Sequence, residues 1–260
     1  MSANGRAALI TGSANKLAVA FAEALAAEGY AIMLNDPDVR SAIEPVLEKL
    51  RTLSGANAAN HAADPRDGAA MAATVEATVE RLGSIDVLVN AAAQQHVAPI
   101  EDIPTDLFDA IVATNLGAAF HATRAALPHM RRRGWGRIIN QASVHGLVAS
   151  AGKAAYVAAK HGMVGLTKVT ALETAGSGIT CNAICPGFTG TESTMQQAAD
   201  IARERGISVE EGARILLDKQ PSGQWVPVES LGALVVFLCS EAAAQMTGAT
   251  IPVEGGWTAQ

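Results

Sequence analysis

A serine, a tyrosine and a lysine stand close together in SVHGLVASAGKAAYVAAK, residues 143–160. Tyr156 and Lys160 are four apart, so a helix puts them on one face. An ammonium beside a phenol stabilises the phenolate and lowers the tyrosine pKa from about 10. A phenol tuned in this way takes a proton from an alcohol or gives one to a ketone. Upstream, the hydroxyl of Ser143 can hold the reacting oxygen beside the tyrosine. A tyrosine and a lysine at this spacing are common by chance. The serine and the surrounding elements give the pair its meaning.

Those elements are short β-type runs alternating with longer alanine-rich helical stretches. Strands are expected at 7–11, 31–35, 58–62, 85–89, 137–142, 179–184 and 249–253, and helices at 15–28, 40–54, 66–82, 105–132, 154–175 and 228–240. Several strand runs are apolar on both faces, as in a parallel sheet covered by helices. The alternation predicts an α/β fold: a single doubly wound Rossmann-type domain over residues 1–260, with seven mainly parallel strands and helices on both faces. Ser143 then lies at the end of the fifth strand, where catalytic groups collect in such sheets. Segment 189–224 has no strand period and carries polar helical stretches, which predicts a substrate lid near the carboxyl edge of the sheet.

Composition narrows the function classes. A chain of 260 residues can bury the core of one large α/β domain, and 49% hydrophobic with 17% charged residues excludes a disordered chain. The net charge of −6 argues against a nucleic-acid partner, and Arg131 to Arg133 read as a solvated helix end. Cys181, Cys185 and Cys239 have neither a disulfide framework nor zinc spacing and read as buried thiols in a reducing compartment. The histidines show no metal spacing. No apolar run reaches the roughly 18 residues of a spanning helix, and the first residues do not read as a signal peptide. The expectation is a cytoplasmic protein with no membrane partner and no metal.

A second site is indicated where the first strand ends in Thr11-Gly12 before a helix. That arrangement aims backbone N–H groups and a helix dipole at an anion. Asp36 follows the second strand, where a carboxylate accepts hydrogen bonds from both hydroxyls of a ribose and repels a 2′-phosphate. This favours NAD over NADP. Asp36-Pro37 also reads simply as a turn. The length of the strand-helix-strand unit favours the nucleotide reading.

With these residues in place, the chain resembles the short-chain dehydrogenase/reductase family over nearly its full length. Ser143 and Tyr156-x-x-x-Lys160 match the family's catalytic group. Asn115 in ATNLGAAF matches a fourth catalytic residue, one that kinks a helix and holds a relay water. Asp36 falls on the NAD-selecting position and Asp64 in HAADP on an adenine contact. Pro186-Gly187 and Thr191 match contacts to the nicotinamide, and EGGW matches the final loop. The resemblance implies that Thr11, Gly12, Asn15, Lys16, Leu17, Asn90 and Ala92 bind NAD together with Tyr156 and Lys160. It also implies a homotetramer, with the helices around 105–132 and 154–175 forming one contact and the C-terminal strand region another.

Within the family, QQHVAPIE, WGRIINQASVHGLVASAGKAAYVAAKHGMVGLTKV and TCNAICPG are similar to the bacterial D-3-hydroxybutyrate dehydrogenases. That likeness implies that Gln95, His145, Lys153 and Gln197 hold a substrate carboxylate, with Phe188 and Trp257 beside it. Those enzymes carry a tryptophan at the position of Phe188. A short hydroxy acid has little apolar surface, so a charge-assisted pair must orient it. Lys153 shares a stripe with Tyr156 and Lys160 if the helix has begun there, and His145 shares a face with Ser143 in a strand-like end. Taken singly, His145 also reads as a loop histidine and Lys153 as a surface lysine. Gln95 and Gln197 each have a glutamine neighbour that competes for the role.

The resemblance has departures. The family turn Thr-Gly-x-x-x-Gly-x-Gly carries Lys16 and Ala18 at its last two glycines, and Asn-Asn-Ala-Gly has become Asn90-Ala91-Ala92-Ala93. Glycine at such places permits close approach to phosphate and ribose. Lys16 therefore either crowds the pyrophosphate or adds a favourable charge to it. SANKLAVAFA also resembles the enoyl-acyl-carrier reductase branch, but the three-residue gap between Tyr156 and Lys160 fits the main branch. The expected activity is NAD-dependent hydride exchange with a small 3-hydroxy acid such as D-3-hydroxybutyrate. The alternatives are another ketone or 3-oxoacyl reductase, or a non-catalytic binding protein with a degraded cofactor turn.

Overall fold

The computed structural model describes residues 5–12, 15–37, 43–55 and 57–260. Ser13 and Ala14 of the expected cofactor turn, and residues 40–42 at the start of the expected second helix, lie outside the described residues. Seven strands are present: β1 (Ala7–Thr11), β2 (Ala31–Asn35), β3 (Ala58–Asn60), β4 (Val87–Asn90), β5 (Gly136–Gln141), β6 (Ile179–Pro186) and β7 (Thr250–Val253). They form one sheet in the order β3-β2-β1-β4-β5-β6-β7, and every neighbouring pair is parallel. The sequence reading allowed an antiparallel member, and none occurs among the described strands.

Alternation along the strands builds two cores. Leu9 pairs in register with Met33 and Leu88, and all three enter one apolar cluster. Met71 and Val75 of α3 (Gly68–Leu82) and Ala126 and Met130 of α5 (Ala118–Arg133) cover it. Ala8 and Ile10 face the other way, toward Phe21 and Leu25 of α1 (Lys16–Ala27), Leu47 and Leu50 of α2 (Ile43–Ser54) and Leu231 and Val235 of α9 (Val228–Cys239).

Some boundaries differ from expectation for local reasons. β3 ends early because the Asn35 amide donates to the carbonyls of His61 and Ala63 and draws the chain out of the ladder. β4 starts late because Asp86 turns its carboxylate to the Ala7 N–H at 2.9 Å and to Arg133 at 2.8 Å. The helix expected at 105–132 is divided: α4 (Thr105–Val112) passes into a π-helical turn (Ala113–Gly117) before α5. Such turns inside helices favour functional positions. Segment 189–224 holds α7 (Glu192–Arg205) and α8 (Val209–Leu217), each started by a capping box, Thr191 with Thr194 and Ser208 with Glu211. They cross closely at Gly212, where a Cβ would meet the Ala198 carbonyl oxygen at 2.3 Å.

Candidate active site

Strand order reverses between β1 and β4, and in open sheets ligands bind outside the carboxyl ends at such a point. A cleft of about 600 Å³ opens there. Of the residues singled out from sequence, it is lined by Asn15, Lys16, Leu17, Gln95, Ser143, His145, Lys153, Tyr156, Pro186, Gly187, Phe188, Thr191, Gln197 and Trp257. The others do not reach its wall.

Thr11, Gly12 and Ala92 pack on one another behind that wall. Thr11 Oγ1 accepts from the N–H groups of Ala91 and Ala92 at 3.1 and 3.3 Å. Gly12 has φ +71°, and a Cβ there would come within 2.3 Å of Ala92 Cα. Asn15 caps α1, accepting from the Ala18 N–H at 2.9 Å and donating to the Gly12 carbonyl at 2.6 Å. The extra methyl of Ala18 is absorbed, fully buried in the apolar cluster under α1. Lys16 is exposed and donates to the Gly190 carbonyl at 3.1 Å, so it ties the turn to the segment beyond β6. Sequence reasoning held only two roles for it, obstruction and phosphate ligand.

Asn90 belongs to the interior, where its amide donates to Asn140 Oδ1 at 2.8 Å. Asp36 is buried just beyond β2, with its N–H on Asn60 Oδ1 at 3.1 Å. Asp64 turns to the exposed Arg66 at 2.6 Å, and that guanidinium holds its carboxyl below the usual range. The expected adenine contact is engaged by a neighbour two residues along the chain.

On the chemical side, β5 ends at Gln141, and α6 (Ala154–Thr174) starts just after Lys153. Lys160 is fully buried, one helical turn beyond Tyr156. Its ammonium nitrogen lies 5.5 Å from the Tyr156 ring centre and donates to the Gln141 carbonyl at 2.7 Å. Burial lowers the Lys160 pKa to about 7. The same effect pushes the Tyr156 phenol up, with a hydrogen bond to Ser143 partly opposing it. The net direction is opposite to the expected depression, because desolvation of the phenol outweighs the groups that favour its charged form. Asn115 sits in the π-helical turn, donating to the carbonyls of Gln94 and Ile111 at 2.7 and 2.8 Å. Its Oδ1 is buried without a hydrogen bond from the protein.

Two local expectations change. Ser143 caps a 3-10 turn (Val144–Gly146) that carries His145, so no strand face relates them. Instead the turn brings His145 Nδ1 to 3.4 Å from Ser143 Oγ. Lys153 precedes α6 and is not on its stripe, because Gly152 at φ +77° turns the chain there. The side chain still enters the cleft and donates to Gln197 Oε1 at 3.1 Å. Burial, then the charge of Lys219, lowers its pKa to about 8. Gln95 donates to Ser193 Oγ at 3.2 Å, and Trp257 stands 5.6 Å from His145 and 5.2 Å from Phe188, ring centre to ring centre. The Phe188 N–H donates to the buried Gln220 side chain, and a Cβ at Gly187 would meet that same oxygen at 2.1 Å. Gln220, Ser150, Ser193 and Lys219 were not found from sequence. They are polar loop or helix residues with no spacing to mark them.

Among the described residues no cluster could hold a metal ion, and no helix is long and apolar enough to cross a membrane.

A family model described as short chain dehydrogenase matches residues 6–202. The chain is 50% identical over 261 residues to a D-beta-hydroxybutyrate dehydrogenase of Cupriavidus necator, covering 99% of both chains. It is 44% identical over 256 residues to a D-beta-hydroxybutyrate dehydrogenase of Rhizobium meliloti, covering 98% of this chain and 99% of the relative. Among solved structures it is similar to a variant of actinorhodin polyketide ketoreductase with NADPH, at TM-score 0.92 and 32% identity over 99% of each chain.

Proposed function

The chain belongs to the short-chain dehydrogenase family of oxidoreductases, and on that footing we propose that it oxidises D-3-hydroxybutyrate, or a closely similar short 3-hydroxy acid, with NAD. The observation that carries the substrate reading is Lys153, a buried ammonium beside Gln197 in the cleft that holds Ser143 and Tyr156. A cation sheltered from water pairs strongly with a carboxylate and fixes where the hydroxyl carbon lies.

When bound, the nicotinamide cofactor supplies the acceptor for the electrons taken from the substrate carbon. The residues present fit it. Asn15, Lys16 and Leu17 open a helix toward the cleft, Thr11, Gly12, Asn90 and Ala92 support the turn beneath, and Pro186, Gly187 and Thr191 form the facing wall. Gly187 has no room for a side chain, and the buried Gln141 Oε1 at this cleft takes no hydrogen bond from the protein. Asp36 is assigned to the ribose, which selects NAD against its 2′-phosphate form. Asp64 reaches the adenine by leaving Arg66.

Tyr156 accepts the substrate hydroxyl proton in oxidation and returns it in reduction. Ser143 donates to the substrate oxygen, Lys160 stabilises the phenolate and holds ribose, and Asn115 keeps the proton path in order through its free Oδ1. Lys153, Gln95, His145 and Gln197 meet the carboxylate, while Phe188 and Trp257 close the pocket. Segment 189–224 acts as the lid of one domain that spans the chain. Four copies assemble through α4, α5 and α6, where Phe108, Phe120, Val169 and Leu172 are exposed. The free, buried Cys181, Cys185 and Cys239 suit the reducing cytoplasm.

The test is NADH formation from D-3-hydroxybutyrate. The wild type should turn over, and Tyr156→Phe should lose at least about a hundredfold in kcat. No turnover by wild type, or undiminished turnover by Tyr156→Phe, would overturn the reading. Preference for long acyl thioesters would move the assignment to a 3-oxoacyl reductase.

A further inference from the structure

Gln141 ends β5 at the wall of the cleft. Its neighbours in the sheet show what that position asks for. Side chains two apart in a strand share a face, so Gln141 points the same way as Ile139. Ile184 stands beside it in register on β6. Ile139, Ile184 and Leu17 all belong to the apolar cluster under α1. A hydrophobic side chain would continue that face. Glutamine breaks the pattern, and such local conflicts gather at functional sites.

The side chain also carries an unmet demand. Gln141 Oε1 is buried and accepts no hydrogen bond among the described residues. Burying a carbonyl oxygen without a partner works against folding. Asn35, Asn90, Asn115, Arg137 and Thr250 hold such atoms too, but none of those residues lines the cleft. The backbone at Gln141 is fixed, because the Lys160 ammonium donates to its main-chain carbonyl at 2.7 Å.

The position limits what the oxygen can meet. Ser143, two residues on, and Tyr156 set where the substrate carbon lies, and both line this cleft. On the adjacent strand, β6 runs past Ile184 to Pro186, and Gly187 follows in the facing wall. A nicotinamide that exchanges hydride with the substrate carbon and rests against Pro186 and Gly187 has to lie over these two strand ends. Its ring is a cation in NAD and neutral in NADH. A carbonyl oxygen is the negative end of a dipole, and where water is scarce it attracts a cation far more than a neutral ring.

We propose that Gln141 sets the balance between the two forms of the cofactor, its side-chain oxygen facing the nicotinamide ring and holding cationic NAD in preference to NADH. This rests on the reading of the cleft as a nicotinamide dinucleotide site. The oxygen without a partner becomes a bias toward the form that starts oxidation of a hydroxy acid.

Dissociation constants for NAD and for NADH, measured by calorimetry at neutral pH without substrate, test the proposal. Gln141→Leu continues the apolar face. It should weaken NAD about tenfold while NADH changes less than about twofold, and the retained NADH binding reports a folded site. Gln141→Glu should move the ratio the other way, tightening NAD relative to NADH. A ratio unmoved by both variants, or moved in the same direction by both, overturns the role of Gln141. A wild type that binds neither NAD nor NADH contradicts the nicotinamide reading itself.

Discussion

Lys153 carries its charge where water is scarce, and a pKa lowered to about 8 gives that charge a pH limit. Below it the ammonium is present to meet a carboxylate, and above it the free enzyme presents a neutral amine. KM for the hydroxy acid should therefore rise as pH passes upward through about 8, and Lys153→Met should have a high KM with no such rise. Initial rates across pH 6–10 measure both. Tyr156 runs in the opposite sense for kcat. Its raised pKa keeps the phenol protonated at neutral pH, ready to act as an acid in ketone reduction. Oxidation should speed up as pH rises and reduction should slow. At this scale the reacting groups were legible because Ser143, Tyr156 and Lys160 are chemically distinctive and correctly spaced. The direction of the phenol shift was not, since it depends on how completely folding buries the ring, which no spacing encodes. Ser150 and Lys219 were invisible for the same reason: a serine and a lysine far apart in the chain gain meaning only when folding joins them.

Elements decide how much freedom these groups have. Gly12 closes β1 on the backbone of Ala92, and a methyl there has no space and an unfavourable φ of +71°. Gly12→Ala should lower stability by about 2–4 kcal/mol, combining backbone strain with overpacking, as read from urea unfolding. Lys16 tests how the turn connects to the lid. Because its ammonium holds the Gly190 carbonyl, Lys16→Ala should speed amide exchange around 189–194 and change NAD affinity less than about threefold. Slow exchange retained, with NAD binding lost tenfold, would make it a phosphate ligand instead. The strands β1 and β2 were readable to the residue because they are apolar on both faces. The π-helical turn was not readable by period, since it is five residues inside a longer helical run and the two that it buries, Thr114 and Asn115, are polar. Only the resemblance placed a kink at Asn115. The 3-10 turn that carries His145 was hidden likewise, because three residues are too few to show a period.

At the scale of the molecule, two-sided apolar strands predicted a parallel sheet, and the sheet is parallel throughout its described strands. The order of strands has no local signature; it follows from right-handed crossovers and from which helix faces match. Exposed Phe120 and Leu172, on α5 and α6, leave apolar surface uncovered by this chain. Phe120→Glu with Leu172→Glu should convert a tetramer into smaller species by light scattering. A wild type that is already monomeric would contradict the assembly. The whole arrangement converges on one claim, that the cleft recognises a short hydroxy acid by its carboxylate and oxidises it beside Tyr156. The most direct measurement compares kcat/KM for D-3-hydroxybutyrate and for its methyl ester, in wild type and in Lys153→Met, with NAD as acceptor. The free acid should be preferred by about a hundredfold in wild type, from a charge-assisted pair, and that preference should collapse in Lys153→Met. An ester used as well as the acid by wild type would contradict the account.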